Sequence, residues 1–228
     1  MMISPETYYE EYLQGKNQSA ILQQISLLMK EIGRLKEVME SDENSSKAMT
    51  MPSPLTRIKC NREYLEKAKL ALEETGGQYE LTDEELQEQA FNMKLAAMHR
   101  FTLEIGGFFN GYAKYKYTIS GDHVLFDADH SFYLKPSNLP VYEPFSREEF
   151  IRGIADLHIG EWKEKYENLC VLDGTQWSIS IEYEDGTEQF EICGSNAYPY
   201  NFEKLIEFLG IDKSDSDTDE MDDDPGKE

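Results

Sequence analysis

The fold is decided by the stretch Phe101-Thr102-Leu103-Glu104-Ile105, which is followed by Tyr115-Lys116-Tyr117-Thr118-Ile119. Both runs alternate apolar and polar side chains, as a β-strand does when only one of its faces is buried. Asn110-Gly111 between them is a hairpin signal, and Gly121-Asp122 marks a second turn. The pattern therefore predicts a three-stranded antiparallel meander over residues 99–128.

A second strand pair is predicted over residues 175–193. Its apolar residues Trp177, Ile179 and Ile181 share one face, and Asp185-Gly186 supplies the hairpin turn. A strand face of this composition belongs in a core, so we expect Trp177 to be buried.

Three helices with apolar stripes are predicted beside these strands, over residues 83–93, 146–158 and 201–210. Capping boxes at residues 82–85 and 146–149 begin the first two. The stripe assigned to the first helix consists of Leu86, Ala90, Phe91 and Met93. We therefore expect an α+β fold, with an antiparallel sheet of about five strands and helices on one of its faces.

The N-terminal region has a helical pattern of a different kind. Apolar residues from 21 to 39 alternate spacings of four and three, which is a heptad seam, and residues 55–74 repeat it more weakly. Residues 41–54 interrupt the pattern with charged residues and prolines. The sequence predicts an antiparallel helical hairpin over residues 19–75, which could form a short coiled coil. The seam could also pack on the main core, or pair between two subunits of a homo-oligomer.

We expect three regions: a helical region 1–78, an α+β domain 79–211 and an acidic tail 212–228. The tail contains nine acids and two lysines, which leaves a net charge of −16 for the other residues when its −7 is subtracted from −23. A segment of this composition, without aromatic residues, is typical of disorder.

The strong negative charge restricts the classes of partner. A nucleic-acid binder must neutralise phosphates with Lys and Arg, and an anionic membrane would repel this chain, so neither is expected. A basic protein partner is compatible with the charge. No signal peptide or long apolar run is visible, and the three cysteines form no paired motif, so we expect a cytoplasmic protein with reduced thiols.

No cofactor is indicated by the sequence. Residues 106–111 are rich in glycine, but a strand rather than a helix follows them and the Lys-Ser/Thr of a phosphate-binding loop is missing.

Asp127, Asp129 and His130 form the most suggestive group of metal ligands, which Asp122 and His123 across the preceding turn could join. Two carboxylates and an imidazole so close in sequence are able to bind a divalent cation or to act in acid–base chemistry. In a strand, Asp127 and Asp129 would share one face and His130 would point away, whereas a loop could gather all three.

A binding surface is predicted at the loop that follows the second hairpin, with Asn196, Tyr198 and Tyr200 as its contact residues. Asp173 and Gly174 precede the first strand of that hairpin, so they should lie near Asn196 at the same end. Tyrosine is well suited to recognition because it offers a large contact area at little entropic cost. The alternative is that both tyrosines pack over the sheet edge.

The C-terminal part resembles a group of uncharacterised bacterial proteins. They share a Trp and a Tyr on a helix, here Trp162 and Tyr166, and then the motif Asp173-Gly174-Thr175-Gln176-Trp177. After a hairpin comes Gly194-Ser195-Asn196-Ala197-Tyr198-Pro199-Tyr200-Asn201-Phe202. The resemblance covers under a quarter of the chain. It implies a reused structural unit and no particular activity.

Two functions follow as hypotheses. The first is a non-catalytic interaction protein, such as a regulator, an inhibitor or an immunity-type binder of a basic protein. It is favoured because no catalytic motif is found. The second is a small metal-dependent hydrolase that uses Asp127, Asp129 and His130, since catalytic residues often converge from distant positions.

Overall fold

The structure, a computed structural model, describes residues 2–41, 51–107, 111–131, 144–171, 174–184, 186 and 188–211. The α-helices are α1 Pro5–Tyr8, α2 Gln18–Glu40, α3 Pro54–Glu74, α4 Asp83–Leu95, α5 Arg147–Asp156 and α6 Phe202–Phe208. The strands are β1 Met98–Gly107, β2 Gly111–Ser120, β3 His123–His130, β4 Lys165–Glu167, β5 Thr175–Tyr183 and β6 Phe190–Ser195. A π-helical turn, Tyr9–Leu13, follows α1, and a 3-10 turn, Ile159–Glu161, follows α5.

The predicted α+β class is confirmed, and both strand groups belong to one sheet. The strand order is β3-β2-β1-β5-β6-β4, and the meander joins the second hairpin through antiparallel pairing of β1 with β5. In this pairing Phe101 lies opposite Ile181 and Leu103 lies opposite Ile179. The alternation seen in the sequence therefore places the large apolar side chains of these two strands on the same face.

The sheet is mixed and has six strands, so the prediction of an antiparallel sheet of about five strands needs correction. The sixth strand, β4, runs parallel to β6. It contains Tyr166, for which the resemblance implied a helix. The backbone of Tyr166 pairs with Gly194, and its ring packs against Trp177 with 5.9 Å between centroids. A strand of three residues is too short to show a period of two in the sequence.

Helices α4, α5 and α6 cover the apolar face. Phe150 of α5 stacks on Tyr117 with a centroid distance of 5.4 Å, and Phe202 of α6 lies 4.7 Å from Trp177. Trp177 is 3% exposed, as expected. Both capping boxes are present, at Thr82 with Glu85 and at Ser146 with Glu149.

Helix α4 is rotated relative to the prediction. Leu86 and Met93 are exposed, and the side that faces inwards carries Glu88, Phe91 and Leu95. Glu88 is accommodated in the interior because its carboxylate accepts a hydrogen bond from Asn92 at 3.0 Å and pairs with His158 at 3.2 Å. Of the predicted apolar stripe, only Phe91 therefore lies on the buried face of this short helix.

The N-terminal helices form the predicted hairpin. The seam residues of α2 are buried against α3: Ile21, Ile25, Leu28, Ile32 and Leu35. The seam is thus filled within one chain. Pairing through residues 19–75 of two subunits stays a prediction, as does the division of the chain at residue 78. The tail 212–228 and most of the linker 41–54 lie outside the described residues.

None of the helices in the described parts of the chain is both long and apolar enough to cross a bilayer.

Glu85 gives stability that depends on pH. Burial opposes its charge, but hydrogen bonds from Lys69, from the Thr82 backbone and from Tyr79 outweigh that effect and lower the pKa of Glu85 from 4.5 to about 2. A carboxylate with a lowered pKa stabilises the folded state above its unfolded pKa, and this contribution disappears as the pH falls through the folded pKa.

We therefore expect Glu85→Gln to reduce the free energy of unfolding near pH 7, by an amount on the order of 2 kcal/mol. The difference from wild type should vanish as the pH falls from 4.5 towards about 2. Urea unfolding across this range measures it. Glu149→Gln is the control, because its capping carboxylate is exposed and its substitution should change stability less. A difference for Glu85→Gln that is independent of pH would contradict the assignment.

Candidate functional site

The loop predicted to bind a partner is largely turned inwards. Tyr200 is 6% exposed, and its hydroxyl accepts a hydrogen bond from Arg62 at 2.9 Å. Tyr198 is half-buried, and its ring stacks on Trp177 and lies 5.0 Å from Phe202. A contact surface at this loop would therefore consist of Asn196 and one edge of Tyr198.

The expected proximity of Gly174 and Asn196 is confirmed. The backbone N–H of Asn196 donates to the carbonyl of Thr175 at 2.9 Å. A Cβ atom at Gly174 would overlap the Asn196 side chain, so only glycine allows this close approach. Asn196 has a φ of 53°, a left-handed conformation that asparagine tolerates better than most residues. Asp173, which was predicted to lie beside Asn196 in this binding surface, lies outside the described residues.

The three candidate metal ligands lie on strand β3 and do not converge. Asp127 and Asp129 pair in register with Lys116 and Lys114 and point to one face of the sheet. His130 points to the other face, where its ring meets Tyr115 edge-on at 5.8 Å. The pleat of the strand separates them. Within the described residues, no group of three His, Cys, Asp or Glu side chains is arranged to hold a metal ion.

The second face of the sheet, which we call the open face, is mostly polar, with the exposed Leu125 as an apolar exception. Alternation along the strands places these side chains on it: Arg100, Thr102, Glu104, Tyr112, Lys114, Lys116, Asp127, Asp129, Ser178, Ser180, Glu182, Glu191 and Cys193. Antiparallel sheets commonly leave one face in water, so this arrangement alone is a normal feature of the fold.

A groove of about 430 Å³ crosses the end of the open face next to β4. Lys165 and Glu167 line one side, Tyr112 and Glu104 line the other, and Ser178 and Cys193 contribute to its floor. Ser195, at one end of the groove, directly precedes Asn196. The predicted loop and the open face are therefore neighbours.

The charges on the open face are unequally compensated. Every described cation on it is paired with a carboxylate of the same face: Arg100 with Glu182, Lys114 with Glu104, Lys116 with Asp127 and Lys165 with Glu167. Asp129 and Glu191 make no ion pair with any described residue. In the described part of the chain, this face consequently has carboxylates without an ion-pair partner, but no Lys or Arg without one.

The described residues of the groove include no pair of nucleophile and base for nucleophilic catalysis. Cys193 is an exposed free thiol, but the described lining residues include no histidine that could act as its base. Elsewhere, His158 is committed to Glu88. The chemistry of the open face is therefore that of charge pairing and hydrogen bonding.

A second polar cluster was not predicted from the sequence. The Glu161 carboxylate forms ion pairs with Lys36 Nζ at 2.7 Å and with Arg62 at 2.5 Å. These ion pairs connect the hairpin to the 3-10 turn. Lys36 also pairs with Glu84 at 2.7 Å. Only Arg62 carried a weak signal, because it lies four residues after Ile58 and three before Leu65, on the buried side of α3.

The cations of this cluster stay charged although they are largely buried. Burial opposes the charge of Lys36, but Glu161 and Glu84 outweigh it and raise its pKa above the ordinary value. Burial also opposes the charge of Arg62, and the combined effect of Tyr200 and Glu161 raises that pKa as well. Burial raises the pKa of Tyr200, so its phenol remains protonated at neutral pH.

Comparisons of the chain with protein-family models, with curated proteins and with solved structures return no match.

Proposed function

We propose that this chain is a non-catalytic interaction protein that binds a basic protein partner through the open face. The observation that supports this most directly is the charge pattern of that face, where each described Lys and Arg is already paired while Asp129 and Glu191 are not. An approaching Lys or Arg side chain thus meets carboxylates without displacing a cation. A regulator, an inhibitor or an immunity-type binder would work in this way.

The net charge of the whole chain also favours a basic protein partner. A formal charge of −23 attracts a basic protein over distances of about a Debye length and raises the rate of encounter. The exposed thiols of Cys170 and Cys193 support a reducing compartment such as the cytoplasm.

The alternative function, a metal-dependent hydrolase, has less support. Such an enzyme needs its ligands to converge on one point, and the strand places His130 on the face opposite to Asp127 and Asp129. The groove on the open face offers charge pairing rather than an activated nucleophile.

Removal of the two unpaired carboxylates tests the proposal. The double variant Asp129→Asn with Glu191→Gln should capture less of a basic partner from the native lysate than wild type does, because its affinity falls about three- to tenfold. Glu10→Gln with Glu73→Gln is the matched control, since it removes the same charge from exposed positions on the π-helical turn and at the end of α3. The control should bind like wild type.

Quantitative comparison of captured proteins decides the outcome. A basic protein that is recovered in a smaller amount with the open-face variant and kept with the control supports the proposal. Equal recovery from both variants, or the absence of any basic protein above the level of uncoupled resin, contradicts it.

A further inference from the structure

We propose that the sheet domain has a second binding site for a Lys or Arg side chain, formed by Glu161, Glu88 and Tyr200, and that the chain's own hairpin occupies it. This site, which we call the cation pocket, lies on the covered side of the sheet and is separate from the open face. The identity of its ligand rests on the proposed function, since a basic partner would supply the competing cation.

The geometry of the pocket is that of a cation site. Arg62 donates both to Glu161 and to the hydroxyl of Tyr200, and its guanidinium lies 5.8 Å from the centre of the Tyr200 ring. Lys36 lies 5.6 Å from the same centre. A carboxylate beside an aromatic face is the arrangement that binds Arg and Lys most effectively, because ion pairing and cation–π attraction act together.

Both cations come from the hairpin and their acceptors come from the sheet domain. Lys36 belongs to α2 and Arg62 to α3, whereas Glu161 ends the 3-10 turn and Tyr200 precedes α6. The close backbone contacts of α2 and α3 are made with each other and with the N-terminal turns. Hairpin and sheet domain also share one apolar core, and these long side chains add ion pairs across their boundary.

Glu88 gives independent evidence that the pocket is not fully satisfied. This residue is only 9% exposed. Its Oε1 atom is hydrogen-bonded to Asn92 and His158. Its Oε2 atom is buried without a hydrogen-bond partner among the described residues. Oε2 lies against Gly160, the residue before Glu161, and the charge of Glu88 acts on Arg62. An unsatisfied buried carboxylate oxygen favours a cation that reaches further than Arg62 does.

The ion pairs lost and gained when one cation replaces another are of the same kind. A Lys or Arg of the partner takes the position of Arg62 or Lys36, and the displaced side chain moves out into solvent while the apolar core of the hairpin stays packed. The hairpin then acts as an internal competitor that lowers the apparent affinity for the partner by the fraction of chains in the closed state.

Removal of the internal cations tests this in the full chain. Lys36→Met with Arg62→Met keeps the apolar stems and removes both charges, so an arginine-rich dodecapeptide should bind about tenfold more tightly than to wild type. Addition of Glu161→Gln to that variant should abolish the gain. Titration calorimetry at near-physiological salt gives these affinities.

A charge-matched control separates pocket binding from a general increase in acidity. Lys30→Met with Lys59→Met removes two exposed cations from the same two helices. Its gain in peptide affinity should be less than half of the gain expected for Lys36→Met with Arg62→Met. A gain of equal size in both double variants overturns the pocket, and so does a gain that survives Glu161→Gln. If the peptide binds wild type and all variants equally, this inference alone fails. If it binds none of them, the proposed function fails as well.

Amide hydrogen exchange of the wild-type chain tests the cation pocket independently if the Lys36→Met, Arg62→Met variant does not fold. Saturating peptide should speed amide exchange around Lys36 and Arg62 and slow it around Glu161 and Tyr200. Unchanged exchange in both segments overturns the proposal.

Discussion

Tyr117→Ala is expected to lower the free energy of unfolding by about 3–5 kcal/mol. Tyr117 is fully buried in the middle of β2, and its ring packs between Phe101 and Phe150. Its hydroxyl donates to the carbonyl of Leu209 at 2.8 Å. The effect is large because the substitution opens a cavity between the sheet and α5 and also removes the attachment of the C-terminal end of α6.

Two further variants separate these contributions. Tyr117→Phe keeps the ring but leaves the Leu209 carbonyl without this donor, so a loss of about 1–2 kcal/mol is expected. Tyr112→Ala makes the aromatic-to-alanine change on the open face of the same strand and should cost less than about 1 kcal/mol. Urea unfolding followed by circular dichroism gives all three values. If Tyr112→Ala destabilised as much as Tyr117→Ala, the assignment of the two faces would be wrong.

Trp162→Ala is expected to have the second largest effect, also about 3–5 kcal/mol. Trp162 is 2% exposed, and its indole N–H donates to the Asn201 side chain at 2.9 Å. Asn201 in turn donates to the carbonyl of Leu157 at 2.6 Å. This chain of buried hydrogen bonds fixes the segment between α5 and β4 to the beginning of α6.

Trp162→Phe isolates the polar part of that effect. It retains most of the buried apolar surface and leaves the Asn201 oxygen unpaired, so a loss of about 1–3 kcal/mol is expected. Chemical unfolding measures both variants. A value for Trp162→Ala within about 1 kcal/mol of wild type would show that the indole is not part of a packed core.

Much of the fold could be predicted because local patterns and long-range packing agree. The two capping boxes and the alternation in β1, β2 and β5 each have one stable interpretation, and the heptad seam of α2 predicts a buried helix face. The sheet that these strands form was predictable for the same reason, since a one-residue shift would expose every apolar side chain. The proximity of Gly174 and Asn196 followed from the geometry of an antiparallel hairpin.

Other features have no local signal. Strand β4 is three residues long, and its pairing partner β6 lies more than twenty positions away. The rotation of α4 depends on the contact of Glu88 with His158, which lies 70 positions away in the chain and outside the helix. The burial of Tyr200 depends likewise on Arg62, which is distant in the chain. In each case a contact between distant parts of the chain determines the result, and sequence periodicity reports only apolar burial.

Binding to a basic peptide tests the central claim most directly. Titration calorimetry should compare an arginine-rich dodecapeptide with its glutamate-rich counterpart at low and at high salt, using wild type, the Asp129→Asn, Glu191→Gln variant and the Glu10→Gln, Glu73→Gln control. The account predicts that wild type and the control bind only the basic peptide, that the affinity falls as salt rises, and that the open-face variant binds about three- to tenfold more weakly. Equal binding of both peptides, or no binding of the basic peptide at low salt, would contradict it.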